Sequence, residues 1–339
     1  MATRSILGLV FSPSWLRVAH AEMSSSRHYS VRLFGVPLPV GCINESSGAI
    51  EDSATLRDVL HTLPQRPLNQ VREGGVFLVI PQLLCYRTSF VVPAELAKAP
   101  VAEIIKSYPI DLPGDRTSLI FDGYAHGVNL DGPRSVMVIA ARRSSLQSYC
   151  RLFEDLQWCL GGITTGEIAR YNRWRLQCPK LDSQVALVCS ADIDSRELSL
   201  WDRGVLVASD TRHWYQRAQN RASRSLGAKK AIDTRNCIDV PTDQLAREVA
   251  EMIKRAVTLT RPIERILCCG ILSNHPQFQE VVQGLTDIRC ETSQGVNRYM
   301  TVSADTGEGS GFRVQDSQGL GIFDDVLGAI AHRVGSQHV

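Results

Sequence analysis

The chain has no stretch approaching the roughly 18 to 20 consecutive apolar residues that a bilayer-spanning helix requires. Its apolar opening, "SILGLVFS", is too short and too poorly flanked for an export signal, so the expectation is a protein made and kept in the cytoplasm. A charge excess is missing too: 37 Lys and Arg against 35 Asp and Glu leave a formal net charge of +2. That gives no global field of the kind that gathers nucleic acid, and no nucleic-acid partner is expected. Catalytic signatures are equally scarce. There is no Walker loop, H-E-x-x-H, C-x-x-C or G-x-S-x-G. None of the eight histidines stands four residues from another, the spacing that puts two imidazoles on one helix face. Neither a metal site nor a catalytic set is expected.

What is present is the material of a globular protein. The 339 residues are 44 % hydrophobic and 21 % charged, enough chain to bury two or three substantial cores. Ten cysteines without an export signal read as thiols rather than as a disulfide framework. The adjacent pair Cys268 and Cys269 in "RILCCGIL" falls in a strand, where successive side chains point to opposite faces, so one metal is not expected to engage both.

Hydrophobic periodicity orders the elements. "ILGLVFSPSWLRVAHAE" predicts strands at 6 to 11 and 15 to 22 joined by a tight turn, and "YSVRLFGVPLP" adds a third strand. "SATLRDVLHTL" places Leu56, Val59, Leu60 and Leu63 at helical spacing with Ser53 as N-cap, and "GGVFLVIP" predicts a buried strand. Strands in "CYRTSFVVP", "SLIFDGYAHG" and "RSVMVIAARR", with a short helix in "APVAEIIKSYPIDLP", form a compact insert at 83–140. "SSLQSYCRLFEDLQWC" predicts a long amphipathic helix with Gly161 beyond its end, and "EIARYNRWRL" a second. The opening pattern then returns: "QVALVCSADIDSRELSLWDRGVLVASD" predicts strands at 185 to 190, 196 to 201 and 204 to 209. A helix in "TDQLAREVAEMIKRAVTLT", a strand in "IERILCCGIL", a helix in "HPQFQEVVQGL", a flexible loop at 303 to 311 and a helix in "FDDVLGAIAHRV" follow.

Two halves that each open on a strand hairpin, with an insert in the first, resemble the actin-like ATPase superfamily, an α/β, ribonuclease H-like fold. Within it the chain is similar to the PilM family of type IV pilus assembly proteins, relatives of FtsA and of the cytoplasmic domain of GspL. The phrases "VFLVIPQLLCYRTSFVVP", "EIIKSYPIDLP", "VMVIAARRSSLQSYCRLFEDLQW" and "ALVCSADIDSRELSLWDRGVL" carry this resemblance, which covers almost the whole chain. It implies a first half at 1–82 plus 141–180, an inserted subdomain at 83–140 and a second half at 181–339. It also implies a scaffold of a pilus or type II secretion platform, held at the inner membrane through a PilN-like protein whose cytoplasmic N-terminal peptide it receives. The residues proposed for that groove are Leu84, Tyr86, Phe90, Ile104 and Tyr108, which serve equally as insert core.

The superfamily's first hairpin resembles D-x-G-[ST]-x-x-[ST]-K, its Asp orienting waters on Mg²⁺ and its Gly admitting phosphate to the turn amides. Here Val10 stands at the Asp position, Ser12 at the Gly position, Ser14 in the turn and Arg17 where Lys is common. The second hairpin has Cys189 and Ala191 where the family resembles "LVDIG", and Cys269 with Gly270 where it resembles "GG". Two phosphate hairpins and the adenosine-contacting strand end have lost their groups together, which by the resemblance implies a pseudo-ATPase needing no cofactor. Ser12, Ser14, Arg17, Asp192 and Gly270 are left to carry any residual contact with ATP and Mg²⁺. The alternatives are an active actin-like ATPase and a sugar-kinase-like enzyme with Asp192 or Glu167 as base. Glu167 also reads as a helix first-turn acid favouring the dipole. The basic segment 212–235, with Arg212, Arg217, Arg221, Arg224, Lys229, Lys230 and Arg235, reads as a solvated face or as a contact with an anionic membrane surface.

Overall fold

The computed structural model describes residues 5–25, 28–63, 75–96, 98–111, 114–126, 134–191, 195–213, 242–259, 262–270, 272, 276–292, 300–304 and 323–336. Three sheets organise them. The first is built on β1 (Ser5–Phe11), β2 (Trp15–Ser25), β3 (His28–Pro37), β4 (Val76–Ile80), β8 (Leu160–Thr165) and β14 (Met300–Ala304), in the order β14-β3-β2-β1-β4-β8. The second takes β9 (Val185–Ala191), β10 (Ser195–Asp202), β11 (Val205–His213), β12 (Arg265–Gly270) and β13 (Cys290–Thr292), in the order β11-β10-β9-β12-β13. In both, an antiparallel meander of three strands continues into parallel neighbours of its first strand: β1 beside β4, and β9 beside β12. The repeated hairpin pattern in the sequence is therefore a repeated sheet.

The insert is a three-stranded antiparallel sheet of β5 (Cys85–Val92), β6 (Leu119–His126) and β7 (Arg134–Arg142), with β7 central. One face carries the short helix α2 (Val101–Ser107), whose Ile104 and Ile105 pack on Val92, Val136 and Val138.

Strand alternation decides what each sheet face buries. Leu7, Leu9 and Phe11 of β1 point toward α1 (Ser53–His61) and α3 (Arg143–Asp155), meeting Leu56, Leu60, Tyr149 and Phe153. Ile6 and Val10, on the opposite face, meet Val326, Leu327 and Ile330 of the C-terminal helix α7 (Asp324–Ser336) and Ala169 of α4 (Gly166–Gln177). On the second sheet, Leu187 and Cys189 face α5 (Thr242–Leu259) and α6 (Pro276–Thr286), while Ala186 and Val188 face Tyr171 and Trp174 of α4. Helix α4 therefore lies between the sheets, giving one side chain set to each. Each fully buried Leu, Val or Phe in these layers contributes about 1.5–3 kcal/mol of burial free energy. Met137 of the insert reaches the same core as Trp174, Trp201 and Leu206, so the insert also packs on the second sheet.

The structure corrects several expectations. The N-cap of α1 is Asp52, whose carboxylate accepts from the Thr55 amide at 2.9 Å, so Ser53 is the first helical residue. Helix α3 ends at Asp155, and Gln157, not Gly161, takes the left-handed conformation with φ 56°. Gly161 belongs to β8, a strand that its two adjacent glycines conceal. Strand β14 pairs in parallel with β3, and α7 packs on β1, so residues 300–304 and 324–336 lie with the first sheet. Pairing across roughly 270 residues of chain leaves no trace in local periodicity. The cysteine expectation holds: Cys268 lies in the core beneath α5 and α6, and Cys269 in the core beneath α4.

Candidate functional site

The first hairpin turn closes on itself. Ser12 donates its backbone amide to the Trp15 carbonyl at 2.8 Å, its hydroxyl donates to the same carbonyl at 3.2 Å, and that hydroxyl accepts from the Trp15 amide at 3.2 Å. Ser14 accepts the Leu38 amide on its carbonyl at 2.9 Å, tying the turn to the end of β3. Behind the turn, Val10 is buried against the α7 core and lines the cleft side, whereas Cys189 of β9 points to the opposite face, beneath α5 and α6, and its neighbour Ser190 faces the cleft. The positions that the resemblance assigns to carboxylates thus serve hydrophobic layers.

A cleft of about 80 Å³ opens beside this turn, lined by Ser12, Arg17, Gln82, Gly166, Arg170, Ser190, Ser195, Glu197 and Asp325 among others. Small-molecule sites are commonly about 300–1,000 Å³, and this space, among the described residues, is smaller. Charges fill the rest. Arg17 of β2 meets Asp325 of α7 at 3.1 Å, and Arg170 of α4 meets Glu197 of β10 at 2.5 Å and Asp325 at 4.0 Å. Arg87 of β5 pairs with Glu167 in the first turn of α4, and Gln82 donates to the same carboxylate at 2.9 Å. Asp324 and Asp325 open α7, where the helix dipole favours negative charge, and Asp324 lies 3.9 Å from Arg173.

These groups are deeply buried: Glu167 is 0 % exposed, Glu197 5 %, and Arg170 9 %. Burial pushes the Glu197 carboxyl up to about 7 against the pull of Arg170, and the nearby Glu167 charge pushes the same way. Burial works against the Arg170 charge, but Glu197 and Asp325 hold its pKa above the usual value.

The predicted nucleotide residues are only partly brought together. Ser12 and Arg17 line the cleft. Ser14 belongs to the same turn, and Asp192 lies outside the described residues. Gly270 ends β12 with φ 65°, and a Cβ there would lie 2.0 Å from the Ala191 carbonyl oxygen, so a close strand approach accounts for this glycine. Three further charged residues of the cleft escaped the sequence reading, Arg170, Glu197 and Asp325, as did Arg87, the partner of Glu167 beside it. Their only signal is charge within otherwise apolar strands and helix faces.

The groove residues separate into two places. Phe90 and Tyr108 stack with ring centroids 4.7 Å apart and planes 5° apart, over the core that contains Ile104. Tyr86 lies four pairs along the same strand from Phe90, opposite Ala140. Leu84 instead joins the first-sheet core beneath α1 and α3, because the short turn at Gln82–Leu84 precedes β5 and still belongs to the first half. Of the basic segment, Arg212 is described and pairs with Glu248 at 2.7 Å, while 214–235 lie outside the described residues.

Two sheets of one strand order, a helix shared between them and an insert after the second parallel strand define the actin-like ATPase fold. The chain is similar to a chain of a PilM-PilN type IV pilus biogenesis complex, with TM-score 0.68, 17 % identity and coverage of 97 % of this chain and 98 % of that one. The ethanolamine utilization protein EutJ from Carboxydothermus hydrogenoformans matches at TM-score 0.49, 8 % identity and coverage of 96 % and 89 %. The cytoplasmic domain of EpsL, an inner membrane component of the Vibrio cholerae type II secretion system, matches at TM-score 0.45, 6 % identity and coverage of 98 % and 95 %. No protein-family model matches the sequence, and no curated protein does. Among the described residues, no helix is long and apolar enough to cross a membrane.

Proposed function

We propose that this chain is a PilM-like scaffold of a type IV pilus or type II secretion platform, working at the cytoplasmic face of the inner membrane without hydrolysing ATP. The observation that carries the reading is the end-to-end likeness to a chain of the PilM-PilN complex. The cleft supports the second part of it. Beside its turn it carries Val10 where the resemblance puts a metal-orienting carboxylate, Ser190 is the β9 residue that faces it, and its space is bordered by paired side chains. Its partner is a PilN-like membrane protein that contributes a short N-terminal peptide. The insert is the element that receives this peptide, with the stacked Phe90 and Tyr108 and their neighbour Tyr86 as the apolar anchors. A contact of the basic segment 212–235 with anionic lipid accompanies that docking. The proposed boundaries are 1–82, 141–180 and 300–336 for the first half, 83–140 for the insert and 181–299 for the second.

A pulldown tests this. Immobilised synthetic peptides from the N-termini of PilN-like proteins should retain the full chain, and Phe90→Ala with Tyr108→Ala should reduce retention at least about tenfold, since each aromatic anchor carries about 1–2 kcal/mol or more. Retention unchanged by both substitutions would remove the insert from the reading, and no retention of the wild type by any such peptide would remove the partner.

A further inference from the structure

The charges in the cleft join all three bodies of the protein. Glu197 belongs to the second sheet, Arg87 to the insert, and Arg17, Glu167, Arg170 and Asp325 to the first half. Arg170 stands at the centre, between Glu197 and Asp325, on the helix that both sheets share. Separating the halves would pull Glu197 from Arg170 and admit water to both.

Not every atom of this set is satisfied. Glu197 Oε1, Glu167 Oε2 and Arg170 Nε are buried with no hydrogen-bond partner among the described residues. A buried carboxylate with one bare oxygen pays a desolvation cost that its arginine does not fully offset, and two such carboxylates near one another raise it. A proton on one of them lowers that cost, and opening the cleft to water removes the need for it.

We infer that the cleft is held shut by a proton-linked charge latch centred on Arg170, in which closure takes up a proton at Glu197 and the halves separate more readily as pH rises through neutrality. The groups that face Glu197 are Arg170 and Glu167 from α4, Arg87 from β5, Arg17 from β2, Asp325 from α7 and Ser190 from β9. Of this set, Glu197 is the group whose pKa is raised toward 7. Burial and the Glu167 charge both favour the neutral form of Glu197 in the closed state, and its pKa there is pushed up to about 7. In an open, solvated cleft that pKa falls toward the ordinary carboxylate range. The sign follows: the closed state holds the extra proton, so it is favoured below pH 7 and weakened above it. This inference rests on the ion-pair geometry together with the burial and raised pKa of Glu197, and needs neither a pilus partner nor a nucleotide.

Hydrogen exchange of the full chain, read by mass spectrometry and corrected for the intrinsic pH dependence of amide chemistry, tests it. In wild type the cleft segments 9–18, 166–173 and 195–200 should open about tenfold more at pH 8 than at pH 6, the ratio expected of a group titrating near 7. Glu197→Gln, neutral in both states, should lose the pH dependence and open no more at either pH than wild type does at pH 6. Glu167→Gln should move the midpoint of the wild-type profile to lower pH, because it removes the like charge. Corrected exchange that is flat from pH 6 to 8 in wild type overturns the latch. So does an unchanged pH dependence in Glu197→Gln. If Glu197→Gln lacks a cooperative melt, the wild-type profile and the Glu167→Gln midpoint decide, and an unmoved midpoint counts against it.

Discussion

A Cβ built on Gly328 would lie 1.7 Å from the carbonyl oxygen of Ala169, so α7 and α4 cross with backbone against backbone. That crossing brings the first turn of α7 to the cleft and sets Asp325 beside Arg17 and Arg170.

Alanine at position 328 therefore cannot be accommodated without moving a helix. Gly328→Ala should destabilise the protein by about 1–3 kcal/mol or more, the usual cost of overpacking. Gly284, in α6, has nothing within 4 Å of its would-be Cβ, and Gly284→Ala should stabilise by up to about 1 kcal/mol through helix propensity. Urea denaturation of the two variants should move the midpoint in opposite directions. Two shifts of the same sign would contradict the crossing.

His20 introduces an acid sensitivity of its own. It is fully buried in β2, and burial lowers its pKa from 6.5 to about 4, with Glu22 opposing and Arg32 adding to the shift. The unfolded chain takes up a proton near 6.5 that the native state refuses until about 4. Its contribution is therefore complete above pH 6.5 and is lost as pH falls through that window, at about 1.4 kcal/mol per pH unit at most. Unfolding free energies measured between pH 7.5 and 4.5 should fall more steeply for wild type than for His20→Leu. Parallel profiles would show that His20 is not the group responsible.

Mg-ATP should leave the melting temperature unchanged at millimolar concentration. A ligand present at 100 times its dissociation constant adds about 2.7 kcal/mol to the native state, which a thermal scan detects readily. A saturable rise in melting temperature that depends on Mg²⁺ would favour the active ATPase reading over the pseudo-ATPase.

Tyr149 ties the long helix α3 to the loop before α1, its hydroxyl donating to the Gly48 carbonyl at 2.9 Å inside the first core. Tyr149→Phe keeps the ring contact with Phe11 and removes that bond, leaving a buried acceptor short of a partner. The expected cost is about 1–3 kcal/mol by chemical denaturation. A loss well under this would mean that the carbonyl finds another donor.

Local chemistry was legible wherever it is written in a short window. Near-continuous apolar runs in "SILGLVF" and "VALVCSA" mark strands buried on both faces, and the six apolar positions Leu245, Val249, Met252, Ile253, Ala256 and Val257 at helical spacing mark α5. The strand placing Cys268 and Cys269 on opposite faces follows from the same period of two. Strand β8 was illegible because Gly161 and Gly162 carry no side chain to alternate.

The amino-acid order by itself determined the two meanders and the three strands of the insert, because each depends on neighbours in sequence. Only the tertiary structure decided that β14 and α7 return to the first sheet and that Arg17, Glu167, Arg170, Glu197 and Asp325 share one cleft. Those groups come from segments up to about 300 residues apart. A charged residue in an apolar stretch shows that a partner is needed without saying where along the chain it lies.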